Sequence, residues 1–177
     1  MKNKKVLYLS QAAMIAALYV VLTMFANYLG LASGSIQVRF SEALTILPFF
    51  TPVAVPGLYI GCLIANIVTG AALPDIIFGP LATLIGALGT WWLGKTASSR
   101  PGEKREEVCK WLSPLPPIFA NGVIIPPVLK YAYGIVPVWF SAVTVTAGEI
   151  ISCGIFGLLL LFALQRYRGQ LFGQENE

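Results

Sequence analysis

Residues 136–164 read VPVWFSAVTVTAGEIISCGIFGLLLLFAL, and Glu149 is the only charged residue among them. In an α-helix, about 20 apolar residues cross a hydrocarbon core about 30 Å thick. The segment therefore predicts a transmembrane helix. A second apolar run, from Val6 to about Tyr28, also exceeds the roughly 7 to 15 residues of a signal-peptide core. We interpret it as a retained first helix.

The whole chain has the composition of a membrane protein. Its 177 residues are 56% hydrophobic and only 11% charged, whereas soluble domains are about 25% charged. This length allows about five to seven crossings and leaves no room for a separate soluble domain. We therefore expect residues 1–177 to form a single all-α domain in the cytoplasmic membrane.

Four more helices are predicted between these two runs, which gives six transmembrane helices. The second is short, because it starts at Ser41 after a polar stretch and meets Pro48 and then Pro52. The fifth contains Pro126 and Pro127, where missing backbone donors predict a bend or unwinding. The predicted helices are, in order, 6–28, 41–52, 56–69, 76–93, one from 116 onward, and 136–164.

The basic residues indicate how these helices are oriented. Cytoplasmic loops carry an excess of Lys and Arg, and with both termini in the cytoplasm ten of the twelve basic residues fall on that side. Residues 95–110 hold eight of the twenty charged residues, so we expect a hydrophilic cytoplasmic loop there. The net charge of +4 thus reflects topology and does not indicate nucleic-acid binding. The ten residues are Lys2, Lys4, Lys5, Lys95, Arg100, Lys104, Arg105, Lys110, Arg166 and Arg168.

Several kinds of active site are disfavoured by the residues available. Histidine is absent, which removes the commonest general base and metal ligand. The three cysteines, Cys62, Cys109 and Cys153, lack ligand spacing, and we interpret them as unpaired packing residues. Residues 89–96 match the Walker A pattern, but they end a predicted membrane helix and place two tryptophans in the supposed phosphate loop. We predict no catalytic residue, no metal and no cofactor, so another chain must hydrolyse any ATP that is used.

Five charged residues remain outside the tails and the segment 95–110: Arg39, Glu42, Asp75, Lys130 and Glu149. An ionisable group at membrane depth is costly unless it is paired or hydrated, so by default it faces a cavity or a partner. We therefore predict that these residues bind a substrate. Two alternatives stay open: Glu149 could form an ion pair with Lys130 or Arg39 that only joins helices, and Asp75 could only cap the fourth helix.

Three uncharged residues complete the predicted binding set. Asn66 and Asn121 offer hydrogen-bonding groups inside helices three and five, although either could simply bond across helices. Trp139 belongs to a group of aromatic residues at the predicted outer rim; most of these are typical interfacial anchors, and one or two could stack on a flat ligand. The predicted substrate-binding residues are Arg39, Glu42, Asn66, Asp75, Asn121, Lys130, Trp139 and Glu149.

The first helix carries a face of small residues. Ala12, Ala13, Ala16 and Ala17 form two overlapping pairs with a spacing of four. Small residues let helices approach closely in lipid. The face either packs inside the bundle or docks another membrane subunit.

Several of these segments, in order along the chain, resemble the queuosine-precursor transporters, which are substrate-binding S-components of energy-coupling factor (ECF) transporters. The most specific is VRFSEALTILP at residues 38–48. The others run from Asn66 to DIIFG at 75–79 and LAT at 81–83, from Asn121 to Pro126, and over Gly148 and Glu149. Together they cover most of the chain.

The resemblance implies a six-helix S-component that binds its ligand near the outer face and associates with a transmembrane coupling subunit and two ATPases. The implied ligands are 7-deazaguanines, such as the 7-aminomethyl and 7-cyano precursors or queuine. One carboxylate can accept both N1–H and the exocyclic amine of a guanine-like edge, and we assign this role to Glu149. Asn121, Asn66 or Arg39 could donate to the ring carbonyl. Asp75 or Glu42 could bind the cation of an aminomethyl group.

The resemblance also implies that the small face of the first helix docks the coupling subunit. Two other functions remain open. The chain could be an S-component for another vitamin-like heterocycle, or a stand-alone small-molecule carrier. A membrane enzyme is disfavoured, because without histidine only a carboxylate pair is left for acid–base chemistry.

Overall fold

The computed structural model describes residues 4–31, 38–99, 102 and 104–167, and every regular element in these ranges is helical. Of the predicted features, Lys2, Arg100, Arg168 and the middle of the polar stretch before Ser41 lie outside the described residues. The elements are α1 Lys4–Tyr28, a 3-10 helix Phe40–Phe49, α2 Ala54–Val68, α3 Leu73–Ser98, α4 Lys104–Leu112, α5 Leu115–Tyr133, α6 Val138–Glu149, a π-helical segment Ile150–Gly157 and α7 Leu158–Gln165.

The six predicted apolar helices all form, with unequal lengths. Four runs are long and apolar enough to cross a membrane, namely α1, α3, Lys104–Tyr133 and Val138–Gln165. The 3-10 helix and α2 have 10 and 15 residues, which corresponds to about 20 and 22 Å along their axes. Most residues of the 3-10 helix are buried, so this short element fills the middle of the bundle.

The segment 95–110 is more ordered than the hydrophilic loop that we predicted. α3 continues to Ser98, and α4 begins at Lys104. On one side of α4, Cys109 packs with Phe49 and Leu161. On its polar side, Lys110 pairs with Glu106 one turn earlier, at 2.7 Å. The short helix is attached to the bundle through Cys109, while Val108 and Trp111 are exposed together with the charged residues Lys104, Arg105 and Glu107.

The helical pattern changes in the last span and not at the two prolines of the fifth helix. α5 continues through Pro126 and Pro127, so the predicted unwinding there is wrong, whereas a bend at these residues stays a prediction. The final span changes to π-helix directly after Glu149, and π-helical turns are frequent at functional sites. The 3-10 helix lies against this turn, and the backbone N–H of Arg39 donates to Ser152 Oγ at 3.2 Å.

The small residues of α1 divide between two environments. α2 approaches α1 closely at two of its glycines. If Gly57 carried a Cβ atom, that atom would lie 2.8 Å from the carbonyl oxygen of Ala12, and a Cβ atom at Gly61 would lie 3.0 Å from Cα of Ala16. Ala13 and Ala17 are exposed. Packing within the bundle therefore explains Ala12 and Ala16, and the docking prediction is left with Ala13 and Ala17.

Two further predictions about local structure agree with the described residues, whereas the helix predicted to start at Ser41 begins one residue earlier, at Phe40, without a side-chain cap. The Walker A-like residues 89–96 are continuous α-helix inside α3, so they form no phosphate loop. Cys62, Cys109 and Cys153 are buried free thiols. Cys153 also takes part in a buried polar cluster, which the packing interpretation did not include.

Candidate functional site

A polar cavity of about 450 Å³ lies where the later ends of α1, α2 and α5 meet the starts of the 3-10 helix and α3. Of the eight predicted binding residues, it brings together Arg39, Asn66 and Asp75. The cavity is lined by Thr23, Asn27, Arg39, Asn66, Thr69, Gly70, Ala71, Asp75, Leu129, Tyr133 and Ile135.

Arg39 and Asp75 supply the opposite charges of this cavity. A guanidinium nitrogen of Arg39 lies 4.0 Å from Oδ2 of Asp75, and the Asp75 side chain is only 5% exposed. The other oxygen, Oδ1, is buried and has no hydrogen-bond partner among the described residues. A buried acceptor without a partner costs free energy. A ligand that donates to Asp75 would remove this cost.

Asp75 also lies in the first turn of α3, as its capping alternative required, but its side chain makes no capping hydrogen bond there. A carboxylate in the first turn still suits the helix dipole, so the capping alternative stays open beside the binding prediction.

Asn66 is held in place by the start of α3. Its Nδ2 donates to the backbone carbonyl of Asp75 at 2.9 Å. An added Cβ at Gly79 would lie only 2.7 Å from the same nitrogen, so a side chain at Gly79 would displace the amide. Asn66 thus joins α2 to α3, as its structural alternative proposed, and it also lines the cavity.

A second polar group lies around Glu42, Glu149 and Cys153. One ligand atom from each of these three buried side chains lies within 4.8 Å of the others. The Cys153 thiol donates to Oε2 of Glu149 at 3.1 Å, and the hydroxyl of Tyr19 donates to Oε1 of Glu42. The second oxygen of Glu42 is buried without a partner among the described residues. The cluster is therefore an incompletely satisfied hydrogen-bond network.

Arg39 and Thr23 connect the cavity to this carboxyl cluster. Thr23 Oγ1 lies 2.8 Å from Ser41 Oγ and 2.9 Å from the carbonyl oxygen of Tyr19, and Ser41 directly precedes Glu42. The backbone of Arg39 bonds to Ser152, the neighbour of Cys153. The cavity and the cluster thus belong to one polar region, which holds one guanidinium and three carboxyl groups.

Asn121 lies in α5 beside Glu149. It is 4% exposed, and its Nδ2 has no hydrogen-bond partner among the described residues. A buried donor without a partner is unusual in a folded protein. The arrangement provides both donors and acceptors for a polar ligand.

Two predicted site residues lie away from this region. Lys130 is exposed, with Nζ 5.6 Å from the centre of the Tyr131 ring, and it forms no ion pair with another described residue. Trp139 is 68% exposed and packs edge-on against Phe140. Neither residue lines the cavity. The alternative in which Lys130 pairs with Glu149 inside the bundle has no support in the described residues.

Sequence analysis missed some of the residues that line the region. Tyr19, Thr23 and Asn27 recur at intervals of four on α1, and this polar stripe on an apolar helix was a usable signal. Tyr133 was not among the predicted binding residues, yet its hydroxyl accepts the backbone N–H of Ala72 at 2.9 Å. This bond ties the end of α5 to the loop before α3.

Two comparisons with known proteins indicate the same family. The family model described as QueT transporter matches residues 9–166. The queuosine precursor transporter QueT of Lactococcus lactis subsp. cremoris (strain MG1363) is 38% identical over 85 residues, which are 48% of this chain and 50% of that relative. The match thus spans about half the length of the curated relative. No solved structure matches the chain significantly. With its four long apolar helices and this match over most of its length, the chain is a multi-pass membrane protein that belongs to the QueT transporter family.

Proposed function

We propose that the chain is the substrate-binding S-component of an ECF transporter and that it captures a 7-deazaguanine precursor of queuosine. The observation that carries the proposal is the carboxylate of Asp75, loosely paired with Arg39 in a cavity of about 450 Å³. Sites for small molecules commonly have about 300 to 1,000 Å³. The Lactococcus relative is a queuosine precursor transporter, which agrees with this class of ligand.

The chemistry of a 7-deazaguanine suits the residues of this region. Its N1–H and exocyclic amine form a pair of donors that one carboxylate can accept. Two carboxylates are candidates: Asp75, which lines the cavity, and Glu149, which lies in the adjoining cluster. The Arg39 guanidinium can donate to the ring carbonyl, and the ring of Tyr133 offers an apolar face to the heterocycle.

The charge balance favours a cationic or donor-rich ligand over an anion. Three buried carboxyl groups, Glu42, Asp75 and Glu149, share the polar region with the single guanidinium of Arg39, and a cationic ligand would favour the ionised form of these carboxyl groups. An aminomethyl substituent carries a cation that could pair with one of these carboxylates. We therefore expect the 7-aminomethyl precursor to bind more tightly than the neutral 7-cyano compound.

The proposed partners are a transmembrane coupling subunit and two ATPases. The described part of the chain offers no phosphate-binding loop at its Walker A-like residues, which are helical. Ala13 and Ala17 present an exposed small face on α1, which suits close contact with another membrane helix. By the distribution of basic residues, both termini lie in the cytoplasm and the polar cavity opens to the outside.

Calorimetry on the detergent-purified chain tests the ligand. The 7-aminomethyl and 7-cyano deazaguanines and queuine are titrated beside guanine, thiamin and riboflavin. Saturable binding of a deazaguanine supports the proposal. The Glu107→Gln variant is a matched control and should bind the ligand normally, because Glu107 is exposed on α4. Binding of thiamin or riboflavin alone would establish an S-component for another heterocycle.

Uptake in cells tests the role as a transporter subunit. Accumulation of labelled ligand should require both this chain and the ATPases of an ECF module. Undiminished uptake after deletion of those ATPases would show a stand-alone carrier and contradict the S-component assignment.

A further inference from the structure

A second cavity, of about 620 Å³, lies between the first two turns of α1 and the start of α2. Asn27 of the polar cavity is about 35 Å further along α1 than Lys4, at 1.5 Å per residue. The second cavity is therefore separate from the proposed ligand site. It is lined by Lys4, Lys5, Tyr8, Leu9, Ala12, Pro52, Val53, Pro56 and Ile60, and we call it the α1–α2 groove.

The walls of the α1–α2 groove are apolar and open to the membrane-facing surface. Leu9 is 73% exposed and Ile60 is 45% exposed, whereas Val53 is buried and closes the bottom. Pro52 and Pro56 form a wall without backbone N–H groups, so that part of the groove offers no donor to a polar guest. Such a surface fits a hydrocarbon chain.

The end of the groove carries two positive charges. Lys4 and Lys5 are exposed, and they line the same cavity as the apolar residues. Lysines at the end of a membrane helix extend to the headgroup level, where anionic lipids attract them. Tyr8, at the same level, is the type of residue that sits at a membrane interface.

We propose that the α1–α2 groove binds one anionic phospholipid. Its acyl chain lies along Leu9, Pro56 and Ile60, and its phosphate lies between the ammonium groups of Lys4 and Lys5. The charge complementarity of the headgroup selects a phosphatidylglycerol-type lipid over a zwitterionic one. The exposed small face of α1 is a different surface, because Ala13 and Ala17 do not line the groove.

Native mass spectrometry of the full-length chain tests this site. The protein is mixed with phosphatidylglycerol or with phosphatidylcholine of the same acyl chains, and bound lipid is counted at increasing collision energy. The wild type should keep one phosphatidylglycerol and release phosphatidylcholine first. The Lys4→Gln/Lys5→Gln variant should bind phosphatidylglycerol on the order of tenfold to thirtyfold more weakly. The Lys104→Gln/Arg105→Gln variant is the matched control, because it removes a basic pair from α4 and should bind normally.

A second variant separates the groove from simple charge attraction. Leu9→Trp keeps both lysines and fills an exposed position, so it should fold normally yet lose the retained lipid. Retention of phosphatidylglycerol by Leu9→Trp would overturn the groove as the binding site. Equal retention of both lipids by the wild type would overturn it as well. Normal binding of phosphatidylglycerol by the double lysine variant would also overturn it, because the two ammonium groups would then not hold the headgroup.

Discussion

Arg39 and Asp75 face each other at 4.0 Å across the polar cavity, although 36 positions separate them in the chain. The distance is long for a charge-assisted hydrogen bond, which is normally about 2.7 to 2.9 Å. The pair therefore leaves hydrogen-bonding capacity on both partners. This relationship makes Asp75 the first residue to test.

Replacing Asp75 with asparagine should weaken deazaguanine binding by about tenfold to a few hundredfold. The amide presents a donor where the ligand needs an acceptor, and loss of a charge-assisted bond costs roughly 1.5 to 3 kcal/mol. Calorimetry on Asp75→Asn measures the effect, with Asn27→Ala as a milder change in the same cavity. An affinity equal to that of the wild type would remove Asp75 from the contacts with the ligand.

Glu149→Gln distinguishes a binding role from a structural one. If Glu149 contacts the ligand, affinity should fall about tenfold to several hundredfold. If Glu149 only completes the network with Cys153 and Glu42, the melting temperature should fall while affinity stays the same. Both quantities are measured on the same preparation, beside Asn121→Ala. The variant with the larger loss of affinity, Asp75→Asn or Glu149→Gln, then identifies the carboxylate that accepts hydrogen bonds from the guanine-like edge of the ligand.

The preference for a cationic ligand should depend on the buried carboxyl groups. We expect the 7-aminomethyl compound to bind at least about tenfold more tightly than the 7-cyano compound, because one added ion pair in a shielded site is worth about 1.4 kcal/mol or more. The preference should shrink in the variant that removes the partner of the ammonium group, either Glu42→Gln or Asp75→Asn. Tighter binding of the 7-cyano compound would contradict the proposal that the buried carboxyl groups favour a cationic ligand.

The exposed and buried alanines of α1 should respond differently to tryptophan. Ala13→Trp should bind ligand normally but stop uptake, because the bulky side chain would keep a coupling subunit from approaching α1. Ala16→Trp should lower the melting temperature, because Ala16 is buried where Gly61 approaches it. Met14→Trp is the control, since Met14 is 58% exposed. Normal uptake by both Ala13→Trp and Ala17→Trp would mean that this face does not dock the coupling subunit.

Cysteine labelling in intact cells tests the orientation. Lys104→Cys should be protected from an impermeant thiol reagent, because the distribution of basic residues predicts that α4 lies in the cytoplasm. Tyr131→Cys should react from outside, since Tyr131 is 81% exposed at the other end of the bundle. The three natural cysteines are buried and should contribute little background. Labelling of Lys104→Cys with protection of Tyr131→Cys would invert the topology.

The sequence alone determined the number and order of the apolar helices, and it selected the charged residues worth testing. The length of an apolar run depends on bilayer thickness and the cost of burying charge is local, so these features can be found without knowing which helices touch. This is why Arg39, Glu42, Asp75 and Glu149 were found together with the six helical segments. The direction in which each residue points was missing, and so were the polar stripe on α1 and the π-helical turn.

The tertiary structure decided which of these residues share a site. Helix rotation turns Lys130 and Trp139 to the surface, and it places Asp75 opposite Arg39 in the cavity that lacks Glu149. The contact between the 3-10 helix and the π-helical turn joins residues 113 positions apart, and the approach of Gly57 and Gly61 buries half of the alanine face on α1. Such contacts depend on how whole helices pack, and local patterns of apolar and charged residues do not encode that packing.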